Sequence, residues 1–117
     1  MWRDDAYLLD ILIAAKRARN HARNLTWNDF QNSTLHQDAI VRTLEVIGEA
    51  AMKISQETKD AHPNLPWKEL VGMRNRLIHE YFRVDIEKVW ETVTRDVPSL
   101  IGLVEPLIPA IPAEKSE

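Results

Sequence analysis

Apolar residues recur at helical spacing along almost the whole of this chain, and this pattern restricts its fold more than any other feature. The longest run places them alternately four and three positions apart, at Ile40, Leu44, Ile47, Ala51 and Ile54. No segment has the pattern of a strand. With 117 residues, the chain has the size of one ordinary domain. We therefore predict an all-α fold, a bundle of roughly four to five antiparallel helices.

Residues that start and stop helices divide the chain. The helices are expected over residues 4–23, over 34–60, from Trp67 onward, from Asp85 to a break or bend at Pro98, and over 99–107. Side chains that accept hydrogen bonds from a free first turn precede three of them: Asp4 or Asp5, Ser33 or Thr34, and Asp85. Residues 1–107 therefore form the predicted helical domain, and the charged, proline-containing residues 108–117 a flexible tail.

The predicted second helix carries two features that bear on packing. Gly48 lies in its interior, where glycine costs about 1 kcal/mol relative to alanine, so we expect another helix to approach closely there. Val46 and Ala50 widen the apolar arc beyond the main stripe. Part of that surplus is expected to face a second subunit.

Composition excludes several classes of protein. The formal net charge is -3 and the pI about 5.8, so a polyanion would have to meet a local basic patch. The absence of cysteine removes disulfides and thiol chemistry, and fits a reducing compartment. Aspartates interrupt any N-terminal signal sequence, and no apolar run approaches the roughly 20 residues of a membrane-spanning helix. We expect a soluble, cytoplasmic protein with no membrane partner.

Metal and nucleotide sites of known pattern are not expected. His79 and Glu80 begin a zinc-protease motif, but Arg83 stands where the second histidine is required. The other histidines show no ligand spacing, and no serine or glycine stands in the setting of a nucleophile elbow or a phosphate loop. The sequence therefore predicts no metal and no cofactor.

A basic cluster ends the first predicted helix, and Lys16, Arg19 and Arg23 share one of its faces. One interpretation is that these cations complement the helix dipole and keep an exposed end in solution. The other is that they contact a phosphate backbone. Both interpretations stay open on the sequence.

An acidic pair occupies the predicted second helix. Glu45 and Glu49 are four residues apart, and Arg42 lies one turn before Glu45. This spacing is typical of an ordinary solvated ladder of ion pairs. The two carboxylates also have the spacing to line a shared cleft.

The segment "GMRNRLIHEYF" combines an apolar helical pattern with a high density of polar side chains. One interpretation is an exposed helix face on which Arg76 and Glu80 form an ion pair. At about 100° per residue, however, Arg74 falls partly on the apolar stripe, and Asn75 lies only about 40° from His79. Arg74 and His79 are about 140° apart. They can meet at one atom only if the arginine wraps, the helix loosens near Glu80, or two chains build the site together.

The same segment resembles the signature of the HEPN superfamily of ribonucleases, and more closely that of the HepT-like toxins. An arginine is followed by asparagine, then by a histidine after four intervening residues and a tyrosine two positions later. The resemblance extends over roughly residues 3–104, because "RDDAYLLDIL", "LEVIGEAA", "HPNLPWKELVGMRNRLIHEYF" and "VWETVTRDVPSL" follow in the family's order.

This resemblance implies an all-α, HEPN-like domain that pairs as a homodimer, with the motifs of two subunits lining a cleft at the interface. It also implies a metal-independent endoribonuclease that is the toxin of a toxin-antitoxin pair. The partner would be a minimal nucleotidyltransferase that silences the toxin by transferring AMP to the motif tyrosine, which is Tyr81 here. Whether dimers associate further with the antitoxin into a larger assembly stays open.

Under this hypothesis the motif residues have distinct chemical roles. RNA can be cut without metal when its own 2'-hydroxyl attacks the adjacent phosphate, which needs a proton-transfer group and a cation for the crowded phosphate. Histidine titrates near neutrality, which suits His79 to the first role. A planar, permanently charged guanidinium suits Arg74 to the second. Asn75 is expected to orient either the imidazole or the scissile phosphate.

Further contacts to RNA are expected from Arg76 and, more weakly, from the basic cluster of Lys16, Arg19 and Arg23. Two other functions fit the same residues. One is a non-catalytic adaptor dimer whose cleft binds a nucleotide or a partner protein, and the other is a purely structural dimerisation module. The complete set of arginine, asparagine, histidine and tyrosine favours catalysis over both.

Overall fold

The computed structural model describes residues 2–80 and 83–109, apart from the side chain of Trp2, and this part of the chain contains helices and no strand. The helices are α1 (Trp2–Ala22), α2 (Trp27–Gln31), α3 (Thr34–Lys53), α4 (Gln56–Ala61), α5 (Trp67–His79), α6 (Ile86–Glu91) and α7 (Val97–Val104). A π-helical turn, Thr92–Asp96, joins α6 to α7, and a 3-10 turn, Glu105–Leu107, follows. The all-α prediction is confirmed: four main rods, α1, α3, α5 and α6 to α7, carry the short helices α2 and α4 between them.

The predicted second helix is wrong in one respect, because it breaks at Ile54 and Ser55 and does not continue unbroken to residue 60. Ile54 has extended backbone angles (φ -71°, ψ 139°) and is buried. Ser55 caps the new helix α4, since its side chain accepts a hydrogen bond from the Thr58 backbone N–H. A local cap and the burial of Ile54 thus outweigh the continuous helical period.

Asp4 ties this break to the start of α1. Its carboxylate accepts hydrogen bonds from the Ser55 backbone N–H (3.1 Å), the Ser55 hydroxyl (2.6 Å) and the Thr58 hydroxyl (2.5 Å). These hydrogen bonds, led by that of the Ser55 hydroxyl, lower the pKa of Asp4 below its ordinary value although the residue is buried. Neither Asp4 nor Asp5 caps α1 as expected, because the helix begins at Trp2 and both lie in its first turn.

The caps predicted at Ser33 and Asp85 are confirmed, whereas the break expected at Pro98 does not occur. Ser33 on α3 and Asp85 on α6 each accept hydrogen bonds from backbone N–H groups of the first turn. Pro98 does not break the last rod, because the π-helical turn precedes it and the Val97 N–H donates to the Thr92 carbonyl. Proline then occupies the first turn of α7, where its missing N–H is tolerated.

The core lies between α1, α3 and the rod formed by α6 and α7. α1 and α3 run antiparallel, since Asp4 at the start of α1 meets Ser55 beyond the end of α3, whereas Arg17 lies beside Arg42. Side chains with almost no exposed surface come from all of these helices: Ile11, Ala15, Ala18, Ile40, Ile47, Ala51, Val89, Val93, Val97 and Val104. Burial of these apolar surfaces is the main stabilising contribution to the fold.

The apolar arc expected to face a second subunit is mostly used within the chain. Ala50 is buried in the core, and Val46 is half-buried against it. Ala50 is therefore not free to contact a second subunit, and of this arc only Val46 keeps part of its surface. The large apolar side chains that are exposed in the described residues are Ile13, Leu35 and Met52.

Three aromatic rings close one end of the core. Phe30 of α2 is fully buried, and its ring centroid lies 5.1 Å from that of Trp90 and 6.2 Å from that of Trp27. Tilted aromatic pairs at such distances stabilise a fold beyond the area they bury. This contact anchors α2 to α6.

The predicted flexible tail begins at residue 108, but Ile108 packs against the core. Residues 110–117 lie outside the described residues, so the rest of the tail stays a prediction. In the described residues, no helix has the length and apolar character to cross a membrane.

Candidate active site

Helix α5 carries the polar segment at the edge of the bundle. Leu77 is its one buried residue, and its contact with α3 centres on Gly48. A Cβ at Gly48 would collide with the Cβ of Arg74 and lie 2.7 Å from the Leu70 carbonyl oxygen. The close approach expected from Gly48 is thus present, and it is Arg74 that lies against the glycine. The exposed residues of α5 are Lys68, Glu69, Arg76 and His79.

Arg74 is half-buried, and its Cβ and Cγ lie against Gly48 of α3. Nη1 donates a hydrogen bond to the Asn75 side-chain oxygen at 3.0 Å. Nε is fully buried and has no hydrogen-bond partner in the described residues. A buried unpaired donor is unfavourable, and such atoms in native proteins are uncommon. The sequence placed Arg74 partly on the buried stripe, and the structure confirms this position.

His79 is the last residue of α5 and is exposed. The helix ends there, because the Glu80 N–H donates to the Arg76 carbonyl (2.9 Å) while the backbone of Glu80 leaves helical geometry. No hydrogen bond joins His79 to Arg74 within the described chain. One chain therefore brings Arg74 to Asn75, but it does not join either of them to the imidazole. Tyr81 lies outside the described residues.

Arg76 belongs to a different face of α5. It is exposed, and it lines a groove of about 340 Å³ between α3, α5 and α7, together with Lys88 and the apolar side chains of Leu70 and Met73. The ion pair considered between Arg76 and Glu80 does not form in the described structure. Arg76, His79 and Glu80 are nevertheless exposed, so the interpretation as a solvated helix face loses only its ion pair.

The basic cluster of α1 is only partly available. Lys16 forms an ion pair with Glu105 (3.1 Å), which links α1 to the chain after α7. Arg19 and Arg23 are exposed and form no ion pair in the described part of the chain. Lys16 thus has a structural contact that the sequence did not indicate. For Arg19 and Arg23, a role at the helix end and a contact to a phosphate backbone both stay open.

The acidic pair of α3 forms the expected ladder. Arg42 contacts Glu45 at 3.5 Å and Glu49 at 3.4 Å. The Glu45 side chain is only 18% exposed, so this ladder is less solvated than the sequence suggested. No group of three or more histidine, aspartate or glutamate side chains in the described residues is arranged to hold a metal ion.

The structure contains a cleft between α4 and α5 that was not predicted from the sequence. The α4–α5 cleft has a volume of about 770 Å³, and its lining includes Lys59, Trp67, Lys68, Gly72 and Asn75. Asn75 thus joins the proposed catalytic segment to this cleft. The spacing of Lys68, Gly72, Asn75 and His79, in steps of four, three and four, was the signal available in the sequence.

Comparison with known proteins places the chain in a family. A family model described as "Ribonuclease HepT-like" matches residues 11–107. A Methanocaldococcus jannaschii protein whose name gives it as a candidate RNase, MJ1380, is 41% identical over 100 residues, covering 86% of this chain and 92% of its own. A Thermococcus cleftensis protein named "Probable ribonuclease HepT" is 43% identical over 101 residues, with 86% and 92% coverage. No solved structure gives a significant match. The chain belongs to the HepT-like ribonuclease family, and its helical bundle is HEPN-like.

Proposed function

We propose that this protein is a metal-independent endoribonuclease whose catalytic residues are Arg74, Asn75 and His79. The observation that carries the proposal is the setting of Arg74 in a chain of this family: a guanidinium held against Gly48, hydrogen-bonded to Asn75 and otherwise short of partners. Because Nε is buried, an anionic substrate would contact the terminal nitrogens of the guanidinium. His79 is exposed at the end of the same helix, where a substrate has access to the imidazole.

The proposed reaction is an internal transesterification. The RNA 2'-hydroxyl loses its proton, its oxygen bonds to the adjacent phosphorus, and the bond from phosphorus to the 5'-oxygen breaks as that oxygen gains a proton. His79 transfers one of these protons, and the guanidinium of Arg74 stabilises the charge on the phosphate oxygens. The products are a 2',3'-cyclic phosphate and a 5'-hydroxyl. No step requires a metal ion.

The site is completed by a second copy of the chain. Arg74 and His79 diverge around α5, and no hydrogen bond joins them within one chain. In a symmetric homodimer, the same patch of each protomer meets its equivalent, so the arginine of one protomer can face the histidine of its partner. The open surface of α5 and its shallow burial are consistent with such an interface.

Cleavage in a chelator tests the activity directly. We expect the purified protein to cut total RNA in excess EDTA and to leave 2',3'-cyclic phosphate ends, which end-group mapping detects. His79→Ala should lower the rate by at least about 100-fold, because proton transfer is lost. His21→Ala, which removes an exposed histidine of α1, is the matched control and should retain full activity. Activity abolished by EDTA, or undiminished in His79→Ala, would exclude the mechanism.

The biological role that fits is that of a toxin, with a minimal nucleotidyltransferase as its antitoxin and Tyr81 as the AMP acceptor. An AMP group two residues from His79 adds bulk and negative charge, and so repels RNA by sterics and electrostatics. Co-expression with the cognate transferase should add the mass of AMP to the peptide that contains Tyr81. A Tyr81→Phe chain that still gains this mass would refute the assignment of the acceptor.

A further inference from the structure

Gly72 is a glycine that the packing of the protein does not explain. It lies inside α5, and a Cβ built on it would meet no atom within 4 Å. Gly48 is different, because the close approach of Arg74 and Leu70 requires it. Glycine destabilises a helix interior relative to alanine, and Gly102 inside α7 is equally open, so what distinguishes Gly72 is that it lines a cleft. A glycine in such a place lets the backbone of a ligand approach the helix closely.

The space above Gly72 is the α4–α5 cleft. Lys68, Gly72, Asn75 and His79 follow at steps of four, three and four residues, which confines them to an arc of about 60° on α5. The cleft therefore continues the face that carries two of the proposed catalytic residues. At 1.5 Å per residue, Lys68 lies about 16 Å along the axis from His79, a span of a few nucleotides.

The lining of the cleft offers contacts for both parts of a nucleotide. Lys59 and Lys68 form no ion pair in the described residues, so both ammonium groups are available to phosphates. The indole N–H of half-buried Trp67 donates to the His62 carbonyl at 2.9 Å, and the residue, which packs partly against the core, also lines the cleft. Aromatic surfaces of this kind stack nucleobases without regard to sequence.

Two carboxylates limit the positive charge of the cleft. Asp60 accepts a hydrogen bond from the Gln56 side chain at 2.8 Å, and Glu69 also lines the cleft. The two lysines and two acids balance, so the cleft does not attract polyanions by a net field. Binding there depends on individual lysine contacts and on stacking, which favours a single strand with exposed bases over a duplex.

We propose that the α4–α5 cleft binds the single-stranded RNA that flanks the scissile phosphate. This inference rests on the proposed ribonuclease function, because it extends the path of the same substrate along α5. Lys59 and Lys68 contact the backbone, the ring of Trp67 offers a stacking surface, and Gly72 lets the strand lie close to the helix. These contacts hold substrate and transition state equally, so they act on KM and not on kcat.

Gly72→Leu tests the proposal by filling the cleft without disturbing the fold. In a His79→Ala background, we expect the Kd for a labelled mixed-sequence single-stranded RNA of about 12 nucleotides to rise about 10-fold, measured by fluorescence anisotropy. With His79 present, KM should rise by a similar factor at unchanged kcat. The melting temperature should stay the same or increase, since leucine favours helix. Gly102→Leu, at the other open glycine, is the matched control and should change neither Kd nor KM.

Lys68→Gln tests the phosphate contact separately. We expect a several-fold weaker Kd and a loss of about 0.7 from the slope of log Kd against log salt concentration, the value of one phosphate contact on a single strand. Arg95→Gln removes another exposed cation, on the turn between α6 and α7, and should leave the slope unchanged.

The outcomes separate this inference from the proposed function. If the parent chain cleaves RNA while Gly72→Leu retains its Kd and KM, the cleft does not guide RNA, although the ribonuclease activity stands. A fall in kcat at unchanged KM would also overturn the inference, because it would indicate distortion of α5. A parent chain without any cleavage activity would overturn both proposals.

Discussion

At the scale of single residues, the structure holds two polar groups under opposite conditions. Asp4 is buried with three hydrogen bonds to its carboxylate, so its charge is satisfied by the fold. Arg74 is half-buried, and its Nε has no hydrogen-bond partner, so the fold does not satisfy all of its guanidinium group. Such atoms are uncommon in native proteins, and under the proposed function this one belongs to a catalytic residue. The first residue therefore contributes to stability, whereas the second carries an unpaired donor that opposes it.

Arg74→Met should separate these effects. The apolar side chain keeps the packing against Gly48 and removes a buried unpaired donor, which is worth about 1 to 3 kcal/mol when left unsatisfied. We expect the free energy of unfolding in urea to stay equal or increase, while RNA cleavage falls by at least about 100-fold. Arg17→Met is the control, because Arg17 is exposed on α1 and forms no ion pair in the described residues. A clear loss of stability in Arg74→Met would show that the arginine supports the fold.

Asp4→Asn should destabilise the protein by about 1 to 3 kcal/mol at neutral pH, since charge-assisted hydrogen bonds to Ser55 and Thr58 are lost. Folding lowers the pKa of Asp4, so its stabilising contribution is present above the ordinary pKa of a carboxyl and disappears as the pH falls through the folded-state value. Urea unfolding as a function of pH should therefore show a smaller acid loss in Asp4→Asn than in the parent. Asp5→Asn, on an exposed neighbour, is the matched control.

At the scale of elements, α5 packs one side against α3 and the core and keeps exposed residues on its other side. It has a single buried residue, Leu77, and meets α3 at Gly48. A helix attached in this way leaves faces free, and α5 carries Arg76 toward one groove and Asn75 toward the α4–α5 cleft. The positions of the α5 side chains thus depend on the contact between α5 and α3 at Gly48.

Gly48→Ala should damage both stability and activity. The added methyl group overlaps Arg74 and crowds the Leu70 carbonyl, so α5 must move, at a cost of about 1 to 3 kcal/mol. We expect a lower melting temperature and, at temperatures where the variant stays folded, a lower cleavage rate, because Arg74 is displaced. Gly102→Ala meets open space on α7 and should stabilise by up to about 1 kcal/mol with normal activity. If Gly48→Ala and Gly102→Ala had equal effects, the close contact between α3 and α5 at Gly48 would not be needed for stability or activity.

At the scale of the whole molecule, one chain alone does not bring together the groups that the proposed reaction needs. Arg74 and His79 lie on the same helix without a shared hydrogen bond, and the net charge of -3 provides no general attraction for RNA. RNA binding therefore depends on specific contacts along α5, and the joining of arginine to histidine depends on a second protomer. Dimerisation thus belongs to the mechanism proposed here.

Complementation between two inactive variants tests the composite site. Arg74→Ala and His79→Ala, mixed and allowed to exchange subunits, should regain about a quarter of the parent activity, because half of the dimers are mixed and each has one intact site. Each variant alone should stay inactive, and sedimentation should give a dimer for both. No recovery on mixing, despite proven subunit exchange, would place both residues of a site on the same chain.

The helical class, the caps at Ser33 and Asp85, the close approach at Gly48 and the family motif were all readable from the sequence, because each depends on local spacing or residue type. The break after Ile54 was not readable from the sequence. The hydrogen bonds of Ser55 that stabilise it are accepted by Asp4, about fifty residues away in the chain. Likewise, the sequence located Arg74 on the helix, but only the contact with α3 leaves its Nε buried without a partner. Periodicity reports which face of a helix is apolar, whereas the depth of a cleft and the pairing of a polar atom depend on what packs against it.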